Sequence, residues 1–399
     1  MSEAVALAST PVALYVHTPF CVSKCAYCDF YSRPLDADQV VPYVDALLRN
    51  AVMLAGTGLL ADVPTLYVGG GTPTMFGEQL ERLLDGLRST VGLRPDAEVS
   101  VEGNPDTTDD AMVAMVVRAG VTRMSLGVQS LDDGLLRMLG RPHDAASALD
   151  AARKIRSAGI DLAVDLICGI PTQTMSVWED TVRRAIETGA QHMSIYPLSL
   201  EEGTPMEASV ATGVLPSPDS DLAADMMLRA DELLSAAGLQ RYEVANYAVP
   251  GHESRHNSGY WTGVPYVGLG PAAYGMLPAD LYRTALEPVG VPHADAGAAR
   301  VRFAVPADAD AYTAAPDAAK TIGRVESLTA AEAQREDIML GLRLVEGVNR
   351  ELVEAAGLTA VLESLAAETL VQLADGRWST TRRGWLLGNV VFGRVWNAE

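Results

Sequence analysis

The sequence is poor in three things that whole classes of protein need. It has four cysteines in 399 residues, too few for a disulfide-stapled scaffold, and three of them fall within eight positions. Such crowding points to metal or redox chemistry in a reducing compartment. Basic residues are also short: 30 Lys and Arg stand against 51 Asp and Glu, giving a net charge of −21 and a pI near 4.6. Binding to a phosphate backbone rests on clustered Lys and Arg, so nucleic acid is excluded as a partner and docking on an anionic membrane is discouraged. Long hydrophobic runs are missing as well. No stretch of about 18 apolar residues offers a transmembrane helix. The opening MSEAVALAST has an early acid and no basic n-region, against a cleaved signal. A cytoplasmic chain is expected.

What remains is an ordinary globular composition, 48% apolar and 20% charged, long enough for one large domain and a smaller one. Short apolar and β-branched runs read as strands at 13–17, 65–68, 98–102, 122–127, 162–167 and 192–196. Amphipathic stretches read as helices at 37–55, 78–89, 109–119, 145–158 and 177–188. Gly69 to Gly71, Gly120, Gly159, Gly169 and Gly189 punctuate the joins. Six βα units in a row predict a parallel sheet with right-handed crossovers, open or curled into most of a barrel, with a ligand site at the carboxyl ends of the strands. Beyond them the sequence predicts a helix at 219–237, a strand-like run at 241–244 and a Gly/Pro/aromatic loop region at 247–275. An Ala/Asp/Pro-rich segment at 288–321 reads as a connector. The tail from Thr329 predicts a small, mostly helical domain.

Cys21, Cys25 and Cys28 follow the first strand directly. Thiolates suit Fe–S clusters or zinc. A closed zinc site wants a fourth ligand, commonly from a second C-x2-C pair, and no such pair occurs. Three ligands in one compact loop instead wrap three corners of a cubane and leave one iron open. Cys168, at a strand end, reads as core. Other polar residues stand just after the strand runs: the segment Gly69, Gly70, Gly71, Thr72, then Glu102, Gln129, Arg141 and Asp165. The glycines permit close backbone approach and offer N–H groups, without the Gly-Lys-Ser/Thr ending of a P-loop. Each alone also fits a plain turn, a solvated strand end, a helix cap or an inward polar group; together they form one polar rim.

The CxxxCxxC loop after the first strand resembles that of the radical S-adenosylmethionine (SAM) superfamily. The resemblance implies a 4Fe-4S cluster on Cys21, Cys25 and Cys28, whose open iron chelates SAM and whose reduction can cleave it to a 5′-deoxyadenosyl radical. Tyr15, His17, Pro19 and Phe20 before the first cysteine, with the strand-end set, are similar to the oxygen-independent coproporphyrinogen III oxidase family. The likeness runs from about residue 13 to 275 and more loosely through the tail. It implies a partial (β/α)6 barrel, with a radical SAM core and heme-motif extension over 11–285 and a C-terminal domain of the family's type over 300–399. It implies SAM contacts from Tyr15, Tyr27, Gly70, Gly71, Thr72, Glu102, Gln129, Arg141 and Asp165.

Two branches share these features. The oxidases carry a further cysteine two positions beyond the third ligand, where this chain has Phe30, and a longer N-terminal arm. The second branch, of heme chaperones, carries an HNxxYW motif, matched by His256, Asn257, Tyr260 and Trp261. A neutral imidazole is a common axial ligand to heme iron, and the two aromatics can stack on a porphyrin. The other reading of these four residues is a hydrogen-bonded structural corner. On balance the resemblance implies a carrier that binds heme and passes it to acceptor proteins and lacks oxidase activity. The alternatives are oxidative decarboxylation of coproporphyrinogen III to protoporphyrinogen IX, or another radical SAM reaction such as methyl transfer.

Overall fold

The computed structural model describes residues 10–315 and 317–398; the opening residues 1–9 lie outside them. Strands β1 (Ala13–Thr18), β2 (Val63–Gly70), β3 (Leu93–Gly103), β4 (Arg123–Gln129), β5 (Asp161–Cys168) and β6 (His192–Pro197) lie side by side in chain order, all parallel. These are the six expected strands. Helices α1 (Ala37–Gly56), α2 (Glu78–Thr90), α3 (Asp110–Arg118), α4 (Ala145–Ser157) and α5 (Met175–Glu187) make the crossovers, and α6 (Ser220–Ala236) follows β6. Asp109, Asp144 and Asp219 cap their helices with side-chain bonds to backbone N–H groups, which satisfies donors that a helix start leaves open.

The sheet does not stop at six strands. β7 (Gln240–Arg241) and β8 (Asn246–Ala248) extend it antiparallel beyond β6, while β9 (Tyr266–Leu269) pairs parallel with β1 on the other flank. β10 (Tyr274–Pro278), β11 (Arg300–Ala304) and β12 (Arg324–Leu328) continue antiparallel from there, to twelve strands among the described residues. Two expectations are corrected by this. The loop region 247–275 holds strands and a helix, α7 (Arg255–Trp261). The connector 288–321 holds β11 and a short helix (Ala309–Ala314), and is tied to the cysteine loop's exit where Arg33 donates to Asp310 (2.8 and 2.9 Å).

Period-two alternation divides the strands into two faces. Leu14, Val16, Leu66, Val68, Val99, Val101, Met124, Leu126, Leu162, Val164 and Ile195 point outward into one core packed under the helices. The inner face carries Thr65, Tyr67, Glu98, Glu102, Arg123, Ser125, Asp165, His192 and Ser194. One segment gathers the amino ends of four strands. His256 of α7 bonds to Thr65, its backbone N–H donates to Glu98, Arg123 donates to the carbonyl of His252, and His252 bonds to Asp161. The sheet is therefore curled into a partial barrel, and α7 is its floor.

A second core, with Ile338, Leu342, Val353, Leu362, Leu365, Trp378 and Val395, lies in the tail. It is built from α8 (Ala330–Gly341), α9 (Gly388–Trp396), shorter helices and a hairpin of Val371–Ala374 with Arg377–Thr380. The tail is joined to the barrel around α7. Arg343 is sandwiched between the rings of Trp261 (4.9 Å) and Phe392 (4.4 Å), and Trp385 Nε1 donates to the carbonyl of Val244 (2.6 Å). No helix among the described residues is long and apolar enough to cross a membrane.

Candidate functional site

A pocket of about 490 Å³ runs down the barrel interior. Its mouth is the loop with Cys21, Cys25 and Cys28, and its far end is stopped by Arg123, Ser254 and Asn257. Three contacts fix the loop. The N–H of Ala26 donates to the carbonyl of Leu139 (3.0 Å), the N–H of Met206 donates to Ala26 (2.9 Å), and Arg141 reaches in from the loop after β4. Arg141 Nη1 lies 3.3 Å from Cys25 Sγ, while Nη2 donates to Asn104 Oδ1 (2.6 Å) and the carbonyl of Gly127 (2.8 Å). Thr72 Oγ1 stands 3.7 Å from Cys21 Sγ and accepts from Asn104 Nδ2 (3.0 Å). A guanidinium and a hydroxyl aimed at two sulfurs supply donors of the kind that stabilise thiolate. Among the described residues no three His, Cys, Asp or Glu side chains converge to hold a single ion. A cubane asks for something else, one thiolate on each of three irons, and a loop presenting three cysteines to one cavity meets that demand.

Of the expected set, Tyr27, Gly70, Gly71, Glu102, Gln129, Arg141 and Asp165 line this pocket with the three cysteines. Tyr15 and Thr72 stand behind it. Tyr15 packs on Tyr67 at 6.1 Å and its hydroxyl bonds to His17 Nδ1 (3.0 Å). Gly70 has φ +110°, and a Cβ there would run into the ring of His17. The glycine N–H groups are not free: Gly70 donates to Glu102 Oε2 (2.9 Å) and Gly71 to the carbonyl of Thr18 (2.6 Å). Gln129 has φ +65° where the pairing of β4 with β5 slips by a residue, a strained backbone of the kind that re-aims a side chain at a site.

Glu102 also accepts from Tyr67 Oη (2.7 Å), and Asp165 accepts from Ser125 Oγ (2.9 Å). Burial pushes the Glu102 carboxyl up to about 7, against the pull of its bonds to Tyr67 and Gly70, and burial raises Asp165 as well. A carboxyl raised on folding keeps its proton longer in the folded chain. Its contribution to stability is therefore greatest below its unfolded value and falls as pH climbs towards about 7. Glu102→Gln is expected to remove that slope. The difference in unfolding free energy between pH 5 and pH 8 should shrink by roughly 2 kcal/mol after discounting for partial exposure, read by urea denaturation.

The heme-motif residues do not gather at this mouth. His256 is 2% exposed. Its Nδ1 bonds to Thr65 Oγ1 and its Nε2 to Tyr260 Oη, both at 2.9 Å, and its ring stacks on Tyr67 at 5.1 Å. Burial lowers its pKa to about 3, so the ring is neutral with both nitrogens occupied. Tyr260 packs edge-on against Tyr266, Trp261 lies under Arg343, and Asn257 alone of the four lines the barrel pocket. In this structure the hydrogen-bonded corner describes His256, and direct ligation through either nitrogen would cost it one of its two buried bonds.

Sequence reasoning missed Tyr67, Asn104, Arg123, His192 and Ser194, which also line the pocket. Stepping back by twos from Glu102 and Asp165 along their strands would have reached Glu98 and Asp161, because polar residues at period two in otherwise apolar strands mark an inner face. Cys168 is fully buried core, as expected, with burial pushing its thiol up to about 12.

A partial barrel with a three-cysteine loop at the carboxyl end of its first strand defines a radical SAM protein. The chain matches the radical SAM superfamily over residues 15–185 and the HemN C-terminal domain over residues 328–387. It is 36% identical over 386 residues to the heme chaperone HemW of Mycobacterium tuberculosis, covering 96% of this chain and 94% of that one. To HemW of Bacillus subtilis it is 30% identical over 401 residues, covering 95% and 97%. The chain belongs to the HemW family. Coproporphyrinogen III oxidase of Escherichia coli shares the fold at a TM-score of 0.81 and 22% identity, over all of this chain and 93% of that one. The cofactors of the radical SAM class are a 4Fe-4S cluster and SAM.

Proposed function

We propose that this protein binds heme and hands it to acceptor proteins, carrying the cluster on Cys21, Cys25 and Cys28 and SAM along the inner face of the barrel. The observation that carries the reading is the likeness to heme chaperones over 94% or more of their length, through the His256–Trp261 segment that floors the barrel. The three cysteines suit three irons, leaving the fourth for the amino and carboxylate groups of SAM. An ammonium needs acceptors, so Glu102 and the carbonyls of Gly70 and Gly71 are proposed to meet it; Tyr27, Gln129, Arg141 and Asp165 would complete the lining. When bound, the cluster supplies one electron at a time. The chain's own part is to hold Cys25 beside Arg141, to keep Glu102 between Tyr67 and Gly70, and to stop the pocket with α7.

The oxidase reading rests on a neighbour whose 22% identity speaks to fold alone. Against it stands Phe30, 63% exposed at the pocket mouth, in the position where the oxidases were expected to have cysteine. The crowded cysteines suit a reducing, cytoplasmic setting, and the acidic net charge favours acceptors that are proteins rather than nucleic acid, with membrane contact left to a partner. The functional core of this reading is the whole twelve-stranded sheet through Leu328, extending the 11–285 unit, with the second unit beginning near Thr329 rather than at 300. After anaerobic reconstitution of the cluster, stoichiometric heme binding without conversion of coproporphyrinogen III is expected. Formation of protoporphyrinogen IX would sink the reading in favour of the oxidase.

A further inference from the structure

One side chain touches both the rim of the barrel pocket and the motif helix below it. Thr65, Tyr67 and Gly69 follow one another at period two on β2, so they share a face of the strand. Thr65 and Tyr67 both meet His256 of α7. Thr65 Oγ1 bonds to His256 Nδ1 (2.9 Å), and the Tyr67 ring stacks on the imidazole with centroids 5.1 Å apart and planes 26° from parallel. At its other end Tyr67 donates through Oη to Glu102 Oε1 (2.7 Å), while the N–H of Gly70 holds Oε2 (2.9 Å). Gly69 keeps room for that pair: a Cβ there would lie 2.7 Å from the Tyr67 ring and 2.8 Å from the Glu102 carboxyl. Tyr67 and Glu102 line the pocket, whereas Thr65 and His256, 4% and 2% exposed, are buried behind it.

A carboxylate offers about four lone-pair sites. Tyr67 and Gly70 engage one on each oxygen of Glu102, which fixes the plane of the group and leaves the remaining sites for a ligand. The bond from Gly70 comes from the backbone and has little freedom. The bond from Tyr67 comes from the tip of a long, rigid side chain, so it depends on where the ring is seated. That seat is made by two rings, Tyr15 (6.1 Å) and His256 (5.1 Å), each stacked at 26°. His256 is itself locked, since both its nitrogens are bonded and its backbone N–H donates to Glu98 (3.0 Å). Without the imidazole the phenol has a gap beside it, and a small tilt of the ring moves the hydroxyl most. Ligand groups need their partners held within about 0.5 Å.

We infer that Tyr67 is a positioning residue that ties SAM affinity to the motif helix: its hydroxyl sets Glu102 for SAM, and its ring takes its place from His256. This rests on the reading that puts SAM at Glu102 and deepens it, because His256 then serves the SAM site without touching the ligand. The dependence runs both ways. Anything that binds by drawing His256 from its seat loosens SAM, and bound SAM resists it by the same factor.

The test is the SAM affinity of the full-length protein after anaerobic reconstitution of the cluster, measured by equilibrium dialysis on samples of matched iron content. Tyr67→Phe, which removes the hydroxyl and keeps the ring, is expected to bind SAM roughly five- to tenfold more weakly. His256→Gln keeps polar groups for Thr65 and Tyr260 but removes the ring, and a similar loss is expected. His256→Phe returns a ring beside Tyr67 without the nitrogens, and should recover most of the affinity. Combining His256→Gln with Tyr67→Phe should weaken binding no further than Tyr67→Phe alone, because both act through one hydroxyl. Wild-type affinity in either single variant that lacks the hydroxyl or the ring, failure of His256→Phe to recover it, or losses that multiply in the double variant, overturns the positioning role and leaves the SAM reading intact. A wild-type protein that keeps its cluster and takes up no SAM overturns both.

Discussion

A chain carrying Cys25→Ala is expected to purify without iron or sulfide, folded but colourless. Its thiol is the one Arg141 addresses, at 3.3 Å, from a guanidinium otherwise spent on Asn104 and the carbonyl of Gly127. The loop's shape does not depend on the sulfur. Backbone bonds from Ala26 to Leu139 and from Met206 to Ala26 hold it from both sides. Removing one of three thiolates therefore leaves the loop in place with an iron corner unheld, and a cubane missing a protein ligand is not retained through purification. Iron and acid-labile sulfide analysis, with the broad visible absorption of the cluster, measures this. Cys168→Ala is the control: its sulfur is in the core beneath Ala223, and cluster content is expected to match the wild type. Full iron content in the Cys25 variant would remove the loop from the cluster.

The largest loss of stability is expected at Glu98. Its carboxylate accepts from the backbone N–H groups of Arg255 (3.1 Å) and His256 (3.0 Å), approaches Ser254 Oγ at 3.5 Å, and lies 3.5 Å from Arg123 Nη2. Arg123 is 5% exposed, and its Nε and Nη1 have no partner among the described residues. Glu98→Ala strips the start of α7 of its acceptor and leaves a buried guanidinium with Asp161 as its remaining carboxylate, also at 3.5 Å. Breaking a buried pair in this way costs about 3–5 kcal/mol. Glu98→Gln keeps one acceptor and should cost less. Urea denaturation should show the midpoint falling in the order wild type, Gln, Ala, with the slope unchanged. An alanine variant as stable as the wild type would mean that the floor helix is held elsewhere.

How much of this was readable from the sequence differs by element. The six parallel strands were legible because each is a short apolar run followed by an amphipathic helix, and the cysteine loop because three thiols at that spacing have few other uses. β8 and β9 were not. They are three and four residues long, rich in Tyr and Gly, and owe their extended form to pairing with β6 and β1, contacts that no local window contains. β11 was hidden in the same way within an Ala/Asp/Pro-rich stretch. The rim residues Glu102, Gln129, Arg141 and Asp165 were legible as a set because they stand at or after strand ends, where a ligand site is expected in any such sheet, and they do line one pocket. The lower layer, with Glu98, Arg123 and His192, was missed because a polar residue inside a strand looks like a packing exception until the barrel shows that all of them face one space. His256 was legible as a motif, and only the bonds to Thr65 and Tyr260 reveal what its ring is doing.

The sandwich of Arg343 between Trp261 and Phe392 gives the tail a place in this picture. Trp261 is the last residue of the floor helix, so the C-terminal unit grips that helix by its end, as a hand grips a handle. The helix that stops the barrel pocket is thereby anchored at both ends, His256 bonded to the sheet and Trp261 against the second core.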